Sequence, residues 1–167
     1  MPEKKTLERA RRDKREGKAA TTQAGEFVRE EMEHIRKGKH GARSTKQAIA
    51  IGLSKARRAG VPLPPPKKGA VSERTRLSAQ RAYEAGQSGK THVSRTRSRA
   101  ITGALKREGH SAASEPALAQ QAHKVAQRRG ASARSASARK AVRTKGAAGR
   151  SAAARKAART RARHLAH

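Results

Sequence analysis

The sequence predicts an all-α protein, built of short helices and followed by a largely disordered basic C-terminal tail. Apolar residues recur at helical spacing in several short segments, and serines and glycines stand where helices would begin and end. Leu, Ile, Val and Phe together supply only eighteen of the 167 residues, whereas the net charge is +30. A chain with so little apolar bulk and so much charge is typically disordered or only locally folded.

The clearest predicted element is a helical hairpin at about 22–60. Its first helix ends at Gly38; its second opens at Ser44, which with Gln47 fits a capping box, and ends at Gly60. Two helices of this size are only marginally stable alone, so either a homodimer through the hairpin or the binding of a partner would complete the fold. The two apolar stripes expected to pack on each other are Val28, Met32 and Ile35 on the first helix and Ile49, Leu53 and Ala56 on the second.

The remaining segments follow from composition and capping residues. Residues 1–21 form a charged N-terminal arm, and the Pro-rich stretch 61–69 is expected to act as a stiff spacer. Residues 70–130 are basic, and Ser72, Ser94 and Ser114 are suitable helix N-caps. The helices predicted in this region lie at about 72–85, 94–108 and 114–129.

The last predicted region is the tail, 131–167. From Pro116 to His167 the chain has fourteen Lys or Arg and no Asp or Glu. Residues 130–146 align with 146–162, with eleven of seventeen positions identical. Alanine favours a helix while like charges oppose it, so the tail is expected to be disordered when free and partly helical on nucleic acid.

An acid-free polycation of this length indicates a partner that is a polyanion, most simply duplex DNA. Only two aromatic residues are present, too few for stacking on single strands, so the prediction is backbone contact without sequence preference. The loop GKHGARSTKQ is either a phosphate cradle or an ordinary hairpin turn. The predicted DNA-binding residues are Arg43, Ser44, Lys46, Lys55, Arg57, Arg58, Arg134, Arg139, Lys140, Arg143, Lys145, Arg150, Arg155, Lys156, Arg159, Arg161 and Arg163.

The sequence gives little support for an enzyme, a metal-binding protein or a membrane protein. No catalytic residues are predicted, because no nucleophile, base and acid stand in a recognisable arrangement, and no cofactor is expected. Cysteine is absent, which excludes thiolate metal sites. Glu31 and His34 share a helix face but are interpreted as a surface pair, and Glu30 with Glu31 as exposed partners of nearby cations, so no metal site is predicted. No apolar run is long enough for a membrane span.

Two alternatives to DNA binding stay open. One is a basic RNA-binding or ribosome-associated protein. The other is a plasmid or phage accessory module that grips a protein partner, which the acidic strip Glu26, Glu30, Glu31 and Glu33 would suggest. The main interpretation predicts a cytoplasmic, nucleoid-associated location.

The segment GEFVREEMEHIRKGKHGARSTKQAIAIGLSKARRAG resembles a block found in small basic bacterial proteins, some of them labelled DNA-binding or plasmid-stabilisation proteins. ALKREGHSAASEPALAQQAHKVAQRRG resembles their downstream region. The Ala/Arg/Lys-rich tail is similar to bacterial linker-histone-like proteins, although Arg outnumbers Lys here. The resemblance implies a bacterial, nucleoid-associated setting, without a known fold or catalytic residues.

Overall fold

The structure is a computed structural model that describes residues 2–89 and 94–165. Within these residues all regular secondary structure is helical, and no strand is present. Two compact units can be distinguished, Met1–Gln121 and Ala122–His167. The described helices are α1 (Lys4–Arg15), α2 (Ala20–Arg36), α3 (Thr45–Arg58), α4 (Glu73–Gln87), α5 (Arg95–Lys106), α6 (Glu115–Arg128) and α7 (Gly130–Leu165), with a short 3-10 turn at Ser111–Ala113.

The centre of the first unit is the hairpin of α2 and α3. Gly52 of α3 lies directly against Val28 of α2, where an added Cβ would stand 2.7 Å from the Val28 Cα. The two backbones can approach this closely only because position 52 has no side chain. The hairpin predicted from the two apolar stripes is therefore present, and a small residue sets the distance between its helices.

The hairpin buries two separate apolar clusters, so the predicted packing of the two stripes is only partly correct. Ile49 packs with Val28, Met32 and Ile35, whereas Leu53 and Ala56 lie in the other cluster. Phe27 and Ile35 are the largest apolar side chains that are fully buried, and most of their neighbours are alanines. Because the alanines are small, helices can pack closely around few large side chains. The first cluster contains Ala10, Ala24, Phe27, Ala56, Val61 and Leu63, with Leu7, Ala20 and Leu53 against it. The second contains Met32, Ile35, Ala42, Ala48, Ala112 and Ala113, with Val28, Ile49 and Leu118 against it.

Both segments that flank the hairpin take part in the fold. The predicted N-terminal arm contains α1, which packs on α2 and buries Ala10. In the Pro-rich segment, Val61 and Leu63 are buried in the first cluster. The Arg57 side chain donates hydrogen bonds to the carbonyls of Leu63 at 3.1 Å and Pro64 at 3.2 Å. The start of the predicted spacer thus folds back against the hairpin.

The next helices begin at the predicted serines. The hydroxyl oxygens of Ser72, Ser94 and Ser114 accept hydrogen bonds from the backbone N–H three residues later, as N-caps do. Helix α4 packs on α3, and a Cβ at Gly86 would clash with the carbonyl of Arg57. The hairpin is therefore covered by α1, by α4 and by the Ser111–Ala113 turn.

In the second unit, the expected disorder of the tail is wrong. Residues Gly130–Leu165 are helical, with one interruption at Gly146, whose φ of 63° and ψ of 179° are essentially restricted to glycine. Alanine has the highest helix propensity, and a like-charged pair costs only a few tenths of a kcal/mol. The alanine background therefore outweighs the repulsion. No helix in the described part of the chain is long and apolar enough to cross a membrane.

Candidate nucleic-acid interface

The basic residues of α7 are all exposed, and none forms an ion pair within the described residues. From residue 130 to residue 163 the helix buries no side chain, and its sequence has no acidic residue. Arg134 donates a hydrogen bond to the Ala126 carbonyl at 3.1 Å, but no carboxylate neutralises any of these cations within the described residues, so they can meet an external anion. They are Arg134, Arg139, Lys140, Arg143, Lys145, Arg150, Arg155, Lys156, Arg159, Arg161 and Arg163.

These cations fall on two opposite faces in each half of α7. At about 100° per residue, Arg139, Lys140 and Arg143 share one face, while Arg134 and Lys145 share the opposite one. The sequence repeat reproduces this arrangement in the second half. There Arg155, Lys156, Arg159 and Arg163 lie on one face, and Arg150 and Arg161 lie on the other. Alanine and serine occupy most of the surface between the faces.

The loop before α3 uses its backbone donors within the protein. The N–H of Gly41 donates to the Leu105 carbonyl at 2.8 Å, and that of Ala42 donates to the Gly109 carbonyl at 3.0 Å. The N–H of Arg43 donates to the Gln47 side chain at 2.8 Å. The predicted phosphate cradle therefore lacks three of its donors, and the geometry favours the hairpin turn.

The six predicted residues of the hairpin differ in accessibility. Arg43, Lys46 and Arg58 are exposed, and Arg43 stands 3.6 Å from the carboxylate of Glu108. Ser44 is the N-cap of α3, since its hydroxyl oxygen accepts from the N–H of Gln47 at 3.2 Å. The hydroxyl of Ser44 thus serves the helix.

The other two residues of this set are engaged inside the fold. Lys55 donates to the buried carboxylate of Glu31 at 2.6 Å and stands 3.7 Å from Glu30. Arg57 is 6 % exposed and is bonded to the Pro-rich segment; its burial lowers the pKa of its guanidinium. Neither charge is directed to an external phosphate.

Helix α5 supplies cations that were not among the predicted residues. It buries no residue, and Arg95, Arg97 and Arg99 are all exposed. The sequence signal was the run RTRSR, which alternates cations with small polar residues. These three arginines add to the basic surface of the first unit.

The acidic side chains of the strip on α2 are paired with cations of the same chain. Glu30 and Glu31 are buried, at 4 % and 0 % exposure, so their interpretation as exposed residues is wrong. Glu26 pairs with Arg9 of α1 at 3.6 Å, and Glu33 pairs with Arg29 at 3.3 Å. The strip is therefore occupied by intramolecular partners.

The buried carboxylates lie beside two histidines. One donor atom from each of Glu31, His34 and His40 lies within 4.8 Å of the other two. The Nε2 of His40 is 3.3 Å from Glu31, and the Nε2 of His34 is 4.0 Å from Glu30. This group could not be predicted from the sequence, because His40 joins it only when the loop folds back over the end of α2.

Glu3 covers the outer side of the histidines. Its carboxylate accepts from Lys39 Nζ at 2.9 Å and from His34 Nε2 at 2.8 Å. These two hydrogen bonds, with Lys39 the stronger cause, lower the pKa of Glu3 to about 2. The start of the chain is thus held at the end of α2.

Part of the chain matches a known family model. Residues 15–68 match the model of DUF6496, a family of unknown function. This stretch includes α2, α3 and the Pro-rich segment. No curated protein and no solved structure matches the chain.

Proposed function

We propose that this protein binds duplex DNA without enzymatic activity and largely without sequence preference, as a nucleoid-associated protein does. The observation that supports this most is α7, where eleven exposed cations lack acidic partners within the described residues and are arranged in repeated rows. A surface of this kind attracts the phosphate backbone and releases its counterions. Alanine and serine between the rows offer little to read bases with.

The two basic faces fit a helix lying in the major groove. The two halves of α7 are about 24 and 28 Å long at 1.5 Å per residue, and the groove is about 12 Å wide. Cations on opposite sides of such a helix reach the phosphates on both walls of the groove, while small side chains face its floor. The grooves of duplex RNA are different, since the A-form major groove is too deep and narrow for this contact.

The proposal does not include every predicted residue. Lys55 and Arg57 are left out because their charges have partners within the fold. A homodimer through the hairpin is also left out, because α1, α4 and the Ser111–Ala113 turn cover α2 and α3. Arg43, Lys46 and Arg58 of the first unit remain as secondary phosphate contacts in addition to those of α7.

The first test is the salt dependence of binding. If about seven cations contact phosphates, log K falls against log salt with a slope near −6 for a 30-base-pair duplex, measured by fluorescence anisotropy. Unrelated duplex sequences should bind alike. A slope shallower than about −2, or a strong preference for one sequence, contradicts the proposal.

The second test separates helical rows from mere charge. Replacing Ala141 and Ala157 by Pro keeps every cation and interrupts both halves of α7. We expect weaker binding to duplex DNA by about tenfold or more, a loss of about 1.4 kcal/mol. Replacing the same residues by Gln is the matched control and should bind normally. Equal affinity of the proline variant, or a preference for duplex RNA, rules out the groove-bound helix.

A further inference from the structure

The group of Glu31, His34 and His40 is the most unusual polar arrangement in the first unit. Glu31 is fully buried and is among the largest fully buried side chains of the protein. Its Oε2 accepts from Lys55 at 2.6 Å, but its Oε1 accepts no hydrogen bond from the described residues. A buried carboxylate oxygen without a donor is costly, so its surroundings need an explanation.

The hydrogen bonding of His40 shows which of its ring nitrogens faces Glu31. Its Nδ1 is 3.1 Å from the carbonyl oxygen of Gly41, which can only accept, so Nδ1 carries the proton. Its Nε2 therefore faces Glu31 Oε1, 3.3 Å away, and the two atoms form no hydrogen bond. A cation bound between this nitrogen and this carboxylate oxygen would satisfy both atoms.

The neighbouring charges favour a cation as well. The carboxylates of Glu3, Glu30 and Glu31 surround the two histidines, and two ammonium groups, Lys39 and Lys55, oppose them. Apart from the two imidazoles, the group has three carboxylates against two ammonium groups. Oε1 of Glu30 also accepts no hydrogen bond from the described residues.

We propose that Glu31, His34 and His40 bind a divalent transition metal ion, most suitably Zn²⁺. Imidazole nitrogens and a carboxylate oxygen are ligands that Zn²⁺ prefers, with a fourth position left for water. Bonds of 2.0–2.2 Å place tetrahedral ligand atoms about 3.4 Å apart. The three donors lie within 4.8 Å of one another, so side-chain rotations that move each donor atom by roughly 1 Å complete the site.

Groups behind the ligands match the second shell of known metal sites. A histidine ligand usually gives its other N–H to a carbonyl or a carboxylate, which fixes the ring. The carbonyl of Gly41 holds His40 in this way, and the carboxylate of Glu3 bonds to His34. The side chains of His34 and His40 are 13 % and 12 % exposed, so the site lies just below the surface and an ion can enter.

The position of the site indicates what the ion does. Glu31 and His34 belong to α2, whereas His40 belongs to the loop before α3. In that loop Gly41 is bonded to Leu105 near the end of α5, and Ala42 is bonded to Gly109 just after α5. The ion clamps this loop to the end of α2 and stabilises the folded first unit by binding. The role is independent of DNA binding by α7.

The test uses the full-length chain without an affinity tag, freed of metal by EDTA. Titration calorimetry with Zn²⁺ should show one saturable site, and thermal unfolding should shift to higher temperature and return with EDTA. Co²⁺ should give the visible absorption of a four-coordinate site. His40→Gln and His34→Gln should each weaken Zn²⁺ binding by about a hundredfold.

His123→Gln is the matched control, because His123 is an exposed histidine of α6 outside the group. Its Zn²⁺ affinity should equal that of the unaltered chain. Circular dichroism of each metal-free variant establishes that it is folded. Absence of a saturable Zn²⁺ or Co²⁺ site in the unaltered chain, or unchanged affinity in folded His40→Gln, overturns the proposal and identifies the group as a protonated histidine–carboxylate network.

Discussion

Helices α2 and α7 are charged to nearly the same extent and place their charges in opposite ways. Six of the 17 residues of α2 are Asp, Glu, Lys or Arg, as are eleven of the 36 residues of α7. Yet α2 buries Glu30 and Glu31 against Lys55, while every cation of α7 is exposed. Charge density therefore does not decide which helix enters a core.

The two helices differ in the residues that surround their charged side chains. In α2 the carboxylates stand among Phe27, Met32 and Ile35, which hold the helix inside the first unit, and cations of other elements reach them. In α7 the larger apolar residues are sparse, and Val142 is exposed. The sequence there has no opposite charge. A charged helix thus packs into a core when it has both an apolar stripe and oppositely charged residues that reach its buried charges.

Of the substitutions that test this difference, removal of the partner of the buried carboxylates should change the free energy of unfolding most. Lys55→Ala leaves Glu31 buried without its 2.6 Å ion pair, and we expect a loss of about 3 kcal/mol in the free energy of unfolding. Chemical denaturation in EDTA measures it. Lys46→Ala, an exposed lysine of the same helix, is the control and should stay within about 0.5 kcal/mol. Equal stability of the two variants would mean that Glu31 does not depend on Lys55.

The close approach of α2 and α3 gives a smaller effect. Gly52→Ala puts a Cβ 2.7 Å from the Val28 Cα, so the helices must separate, and we expect a loss of about 2 kcal/mol by thermal unfolding. Gly25→Ala in α2 is the matched control. Nothing lies within 4 Å of that added methyl group, and the variant should gain up to about 1 kcal/mol from helix propensity. A Gly52→Ala variant as stable as the control would show that the helices are not in contact there.

The smallest expected effect is a gain in helix stability, and it concerns α7. Arg139→Gln with Arg143→Gln removes a like-charged i, i+4 pair from an exposed face, so the helix should gain about 0.2–0.5 kcal/mol. Far-UV circular dichroism at low salt should show equal or higher helix content, and the response to added salt should shrink. Ala141→Gln, which keeps both cations, is the control. A clear loss of helix in the double variant, beyond the control, would imply that these arginines have partners within the protein.

The sequence predicted much of the helical layout. The spacing of Ser72, Ser94 and Ser114 gave the starts of three helices, and Gly38 and Gly60 marked the ends of the hairpin helices. Local signals of this kind depend on hydrogen bonds and backbone angles near the residue itself. The helical tail was not predicted, because its charge was given more weight than its alanine content.

Composition alone determined that the C-terminal region is a polycation with no acid to neutralise it, and the repeat determined that its cations fall in two opposed rows once it is helical. Only the tertiary structure decided that Glu30 and Glu31 are buried and that His40 lies beside Glu31. The reason is physical. Helix propensity is a local property of the chain, whereas the burial of a charge depends on partners such as Lys55, 24 residues away, that packing brings within reach.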